Sequence, residues 1–188
     1  MKLNQIPNII SVIRILLVGP VVYCLLNQQY EMAWWLFVIA GISDGVDGYL
    51  ARRFNWQTEL GATLDPIGDK LLMVFSYLTL GWLAQLPTWL VTLVILRDVI
   101  IVSGTLFYRR LTGDKEIQPL YISKVNTVVQ ILLVIVIIYS LAFQVLPVWL
   151  AQSLIYIVAL TTITSGAGYI YVWTRRAYKT IKEEGKGV

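Results

Sequence analysis

Four aspartates, Asp44, Asp47, Asp65 and Asp69, fall within 26 residues of a chain that is 57% hydrophobic. Carboxylates can take up a proton or hold a hard cation. Four of them at a half-dry site repel one another strongly unless cations neutralise them. Two divalent ions would do so, and a pair about 3.5–4 Å apart is a recurrent device for phosphoryl chemistry. Asp44 and Asp47 are three residues apart and share one face of a helix. Gly48 and Ala51 continue that side almost without side chains, which suits a bulky substrate approaching the backbone. Arg52 is a fitting partner for a diphosphate. Asp65 precedes Pro66, so it reads as an N-cap with Pro66 opening a helix and Asp69 pointing back toward it. The competing reading makes the aspartates ordinary helix caps and loop residues. Taken alone, Asp65 fits that description; the four together, with glycines between them and an arginine beside them, do not.

The rest of the composition narrows the chemistry. Histidine is absent, which removes Ser-His and Cys-His nucleophiles and histidine-ligated zinc. The single cysteine, Cys24, excludes an intramolecular disulfide and any multi-cysteine metal site. If the protein is an enzyme, carboxylates must supply its base and its metal ligands, and oxygen donors select cations such as magnesium.

The elements that must position these residues are membrane helices. Only 14% of the chain is charged, its mean hydropathy is +0.70, and apolar runs of about 18 or more residues recur along it. The runs do not alternate as barrel strands would. We read an all-α integral membrane protein, a single domain over residues 1–188 with six transmembrane helices. The predicted spans are Ile9–Leu26, Ala33–Arg52, Pro66–Ala84, Thr88–Tyr108, Ile122–Phe143 and Val148–Trp173. The turns Asn27–Met32, Gln85–Pro87 and Gln144–Pro147 carry no lysine or arginine. The loops Arg53–Asp65 and Arg109–Tyr121 and the tail Thr174–Val188 do. Basic residues in short loops stay cytoplasmic, so both termini and both longer loops are expected there. The tail, with Arg175, Arg176, Lys179, Lys182 and Lys186, would lie against anionic headgroups, or simply anchor the topology. Nucleic acid is not an expected partner.

Asp44, Asp47, Gly48, Ala51, Arg52, Gly61, Asp65 and Asp69 fit the pattern Asp-x2-Asp-Gly-x2-Ala-Arg-x8-Gly-x3-Asp-x3-Asp. This resembles the signature of the CDP-alcohol phosphatidyltransferases, complete at all eight fixed positions. The six-helix layout is similar to that family as well, so the likeness covers nearly the whole chain. The resemblance implies a homodimer with a cytoplasm-facing cavity open to the bilayer, where CDP-diacylglycerol binds. It implies two divalent cations, magnesium or manganese, held by Asp44, Asp47 and Asp65 with Asp69 sharing ligation. Asp69 would also be the general base that takes the acceptor's proton. Asp44, Gly48, Ala51, Arg52 and Gly61 would line the CDP portion.

The signature does not choose the acceptor alcohol. Ile6-Pro7-Asn8-Ile9 with Arg14 resembles the openings of both the phosphatidylglycerophosphate synthase and the CMP-forming cardiolipin synthase branches of the family. Arg97-Asp98 and the segment Tyr121–Gln130, with Ser123-Lys124-Val125-Asn126-Thr127, resemble the cardiolipin synthase branch. That favours phosphatidylglycerol as acceptor, with glycerol 3-phosphate the alternative. Arg14, Arg97, Arg109, Arg110 and Lys124 are candidate contacts for the acceptor's phosphate. Arg97 could instead pair with Asp98, and Arg109 and Arg110 could be topology anchors. The short loop Arg109–Tyr121 and the absence of a presequence suggest the cytoplasmic membrane of a bacterium rather than a mitochondrial inner membrane. Two rival classes are an intramembrane cation transporter and a phosphodiesterase using water in place of the alcohol. Against the transporter, the acids cluster at one membrane face and no interrupted helices mark a pathway.

Overall fold

Long apolar stretches bounded by polar turns fold as six α-helices: α1 (Ile6–Leu26), α2 (Tyr30–Arg53), α3 (Glu59–Trp82), α4 (Thr88–Thr112), α5 (Tyr121–Phe143) and α6 (Val148–Glu184). A computed structural model describes residues 6–54, 59–112 and 120–184, with side chains except at 6–8, 44, 47–52, 59–66, 106–112, 173 and 175–184. No strand occurs among the described residues. Among the described residues four helices are long and apolar enough to cross a membrane, over Ile9–Leu26, Thr88–Thr105, Tyr121–Phe143 and Val148–Val172. In α2 the apolar part is shorter, Tyr30–Ser43, because the acidic cluster begins at Asp44. α3 carries Glu59, Asp65, Asp69 and Lys70 in its first half. Charges thus interrupt hydropathy in the two helices that bear the signature.

Two compact units are distinguished: residues 1–88 with 131–151, and 89–130 with 152–188. In the first, α1 packs against both α2 and α3. Its buried stripe is Ser11, Arg14, Val18, Val21 and Leu25, the three-and-four spacing of a helix face turned to its neighbours. Ala33, Phe37 and Ala40 of α2 and Leu72, Ser76 and Leu80 of α3 are buried in the same unit. Trp34 meets Tyr139 and Phe143 edge-on, at ring-centroid distances of 5.6 and 5.7 Å. In the second unit, Leu90, Val91 and Val94 of α4 and Val158 and Tyr169 of α6 are buried. Large apolar side chains also point outward, among them Leu16, Ile42, Tyr156 and Leu160. Outward and inward faces are both apolar, as a lipid solvent requires.

Three local findings correct or extend the sequence reading. α3 starts at Glu59, so Asp65 and Pro66 lie inside the helix and Asp65 is not its N-cap. Helical residues precede the proline, and neighbouring groups in a membrane bundle can take up the carbonyl that its missing N–H leaves. The apolar part of α6, Val148–Val172, agrees with the expected span to Trp173, and the helix continues beyond it to 37 residues, about 55 Å at 1.5 Å per residue. Arg175 to Glu184 are mostly good helix formers and extend the span beyond the hydrocarbon. The turns after α1, α3 and α5 place Gln28, Ala84 and Gln144 at φ of 59°, 55° and 55°. None is glycine. After α1 the left-handed residue lets Gln29 N–H return to the Cys24 carbonyl at 2.8 Å, closing the helix end.

Candidate active site

α2 carries Asp44, Asp47, Gly48, Ala51 and Arg52 in its last turns, and α3 carries Gly61, Asp65 and Asp69 in its first three. Asp65 and Asp69 are four residues apart on continuous helix, so this pair shares a face, as does Asp44 with Asp47. The side chains of Asp44, Asp47, Gly48, Ala51, Arg52, Gly61 and Asp65 lie outside the described residues. Asp69 is described and half-exposed.

Arg14 of α1 donates from Nη1 to Oδ1 of Asp69 at 2.6 Å, with the arginine side chain 1% exposed and the aspartate 48%. A buried guanidinium therefore holds one oxygen of a carboxylate that remains open to its surroundings. Gly68, directly before Asp69, faces α1 at this point. A Cβ at Gly68 would sit 3.3 Å from Ile15 Cγ1 and 3.8 Å from Arg14 Cδ. Of these, only the Ile15 contact is tight; the arginine stem lies at ordinary contact distance. The structure thus joins two residues that the sequence assigned to different tasks, acceptor binding for Arg14 and metal or proton chemistry for Asp69. Gly68 was not singled out; its only sequence signal is a small residue one turn into the acidic cluster.

The donor set suits a hard divalent cation, being carboxylate only, with no histidine or cysteine near it in sequence. Among the described residues no group of three or more potential ligands assembles, since three of the four aspartate side chains fall outside them. Asp69 is the one described member, and its exposure leaves it open to a ligand.

In the second unit Arg97 is 5% exposed and donates from both terminal nitrogens, while its buried Nε has no hydrogen-bond partner among the described residues. Nη1 donates to Asp98 Oδ1 at 2.7 Å, while Nη2 donates to Ser123 Oγ at 2.6 Å and Ser165 Oγ at 2.5 Å. One arginine thereby ties α4 to α5 and α6. Deeper along the same pair of helices, buried Asn126 Oδ1 accepts from Thr161 Oγ1 at 2.8 Å and from Thr162 Oγ1 at 3.0 Å. At the other end the Leu120 N–H reaches the Tyr169 hydroxyl at 3.4 Å. Positions rise along α5 as they fall along α6, so the two run antiparallel with a polar seam between them. Polar groups within apolar helices need such partners. Lys124, next to Ser123, is exposed. The side chains of Arg109 and Arg110 lie outside the described residues. The sequence reading missed Ser165, Thr161 and Thr162; their signal was polar residues at helical spacing within an apolar span.

A sequence model described as CDP-alcohol phosphatidyltransferase matches residues 4–164. The CMP-forming cardiolipin synthase of Homo sapiens is 30% identical over 194 residues, covering 95% of this chain and 64% of that protein. The CMP-forming cardiolipin synthase of Rattus norvegicus is 31% identical, covering 94% of this chain and 64% of its own length. The chloroplastic CDP-diacylglycerol--glycerol-3-phosphate 3-phosphatidyltransferase 1 of Oryza sativa subsp. japonica is 31% identical, covering 88% and 56%. The chain therefore spans somewhat under two thirds of these relatives. The match covers both signature helices, Arg97, Asp98 and Ser123, and the first part of α6, and the chain belongs to the CDP-alcohol phosphatidyltransferase family, whose members use divalent metals.

Proposed function

We propose that the chain transfers the phosphatidyl group of CDP-diacylglycerol to a hydroxyl of phosphatidylglycerol, giving cardiolipin and CMP. The observation that carries the proposal is the complete eight-position signature on α2 and α3, with Asp69 held by Arg14 at 2.6 Å. Asp69 takes the proton of the acceptor hydroxyl, the acceptor oxygen bonds to the β-phosphorus, and the bond from that phosphorus to the bridging oxygen breaks. CMP leaves with the bridging oxygen. No covalent enzyme intermediate is needed, because positioning and charge stabilisation supply the acceleration. Two divalent cations, magnesium or manganese, held by Asp44, Asp47, Asp65 and Asp69, would neutralise the diphosphate when bound. Gly48, Ala51 and Gly61 leave room for the CDP portion, and Arg52 supplies it with a positive charge. Arg14 fixes one oxygen of Asp69 and so orients the base.

Phosphatidylglycerol is favoured as acceptor by the Arg97-Asp98 and Ser123–Gln130 segments and by the similarity to the human and rat enzymes. Lys124 and Arg110 would contact its phosphate. The similarity to the rice enzyme supports a second reading, with glycerol 3-phosphate as acceptor. The proposal includes six spans, both termini in the cytoplasm, one domain over residues 1–188 and a homodimer. It places the chain in the cytoplasmic membrane of a bacterium. The test is CMP release by purified protein in lipid vesicles containing CDP-diacylglycerol and a divalent metal. Release must require an added alcohol. Phosphatidic acid formed without one would make the enzyme a phosphodiesterase.

A further inference from the structure

The two segments that distinguish the acceptor, Arg97-Asp98 and Ser123-Lys124, touch each other. Arg97 Nη2 donates to Ser123 Oγ at 2.6 Å and to Ser165 Oγ at 2.5 Å, and Asp98 engages its other terminal nitrogen. Arg97 and Ser165 are both buried, at 5% and 0% exposure. A guanidinium so enclosed donates to protein from both terminal nitrogens and is poorly placed to reach a substrate. Its effect falls on the first turn of α5. That turn is fixed at both edges: Leu120 lies against Gly168 and Tyr169, and Ser123 lies in the Arg97 fork. One turn further on, Asn126 is locked to Thr161 and Thr162. The first exposed cation on the turn so fixed is Lys124.

We propose that Arg97 is a positioning residue: through Ser123 and Ser165 it clamps the start of α5 so that Lys124 is presented to the acceptor's phosphate group. The proposal rests on the transferase reading given above, with Lys124 as the acceptor contact. It makes a distinction that a direct contact would not. Ser165 is wholly buried on another helix and cannot touch an acceptor, yet it should matter as Arg97 does.

The experiment measures apparent KM for each substrate and kcat with the full chain in mixed micelles. Ser165→Ala, Ser123→Ala and Arg97→Lys should each raise the KM for phosphatidylglycerol about tenfold, the scale of one hydrogen bond to a charged group. The KM for CDP-diacylglycerol and kcat should stay within about twofold. In a Lys124→Gln background the Ser165→Ala change should add almost nothing, because the two act through one contact. An unchanged acceptor KM in Ser165→Ala overturns the proposal, as does full additivity with Lys124→Gln. Should Arg97→Lys fail to fold, the two serine variants remove only a hydroxyl and carry the same test. If the wild-type protein uses only glycerol 3-phosphate, the acceptor assignment above falls. The same KM split read on that substrate then decides the present proposal.

Discussion

The ion pair between Arg14 and Asp69 should be energetically coupled, and its size can be worked from burial. A net hydrogen bond to a charged group contributes about 1.5–3 kcal/mol. The guanidinium is 1% exposed and has few alternatives in water, but the carboxylate is 48% exposed and keeps part of its hydration. Screening on the carboxylate side places the coupling near the lower limit, about 1.5 kcal/mol, or roughly tenfold in an unfolding equilibrium. The cycle comprises Arg14→Met, Asp69→Asn and the double variant. Each is unfolded reversibly in detergent with chelator present, so that no metal bridges the site. Asp69→Asn should cost more than Arg14→Met, because it weakens the pairing of a buried charge, whereas the exposed aspartate can rehydrate. A coupling below about 0.5 kcal/mol, or a reversed order of the single variants, would refute the reasoning.

Other outcomes follow from the signature, the packing at Gly68 and the placement of charge. Chelation should abolish transfer, and Asp44→Asn, Asp47→Asn or Asp65→Asn should each lose about a thousandfold in kcat while the protein still inserts, a loss of several kcal/mol in transition-state stabilisation. A fully active Asp47→Asn enzyme would exclude the two-metal site. Gly68→Leu should destabilise by about 1–3 kcal/mol, read from the midpoint of detergent unfolding, because its side chain would enter the space of Ile15 and Arg14. Gly68→Ala should be nearly neutral if the Ile15 side chain can give by a few tenths of an ångström. With Cys24 replaced, a cysteine at Gln144 should be labelled from outside intact cells, and one at Gly185 only after permeabilisation. The opposite pattern would reverse the topology.

Sequence reasoning reached the helices because lipid-facing and buried residues are both apolar, which leaves long hydropathic runs whatever the packing. It reached the candidate site because carboxylates in such runs have few structural reasons to exist. It misjudged the start of α3, where Asp65-Pro66 read as a cap although Glu59 to Leu64 extend the helix backward. Its last span ended with the apolar run, as the hydropathy of α6 does at Val172, while the helix itself carries on through the charged residues beyond. Contacts were the least legible part. Arg14 and Asp69 stand 55 residues apart, and Arg97 and Ser165 stand 68 apart. No local pattern signals that either pair meets. The ends of α1, α3 and α5 were legible from the polar turns that follow them, but the left-handed conformation of Gln28, Ala84 and Gln144 was not, because none is glycine.

The central claim is the identity of donor and acceptor, and one competition measures it. Purified protein in lipid receives CDP-diacylglycerol, magnesium or manganese, and phosphatidylglycerol and glycerol 3-phosphate at equal availability, and the lipid products are resolved. The account predicts a four-chain product that requires phosphatidylglycerol, with CMP released one for one. Accumulation of phosphatidylglycerophosphate alone would contradict it.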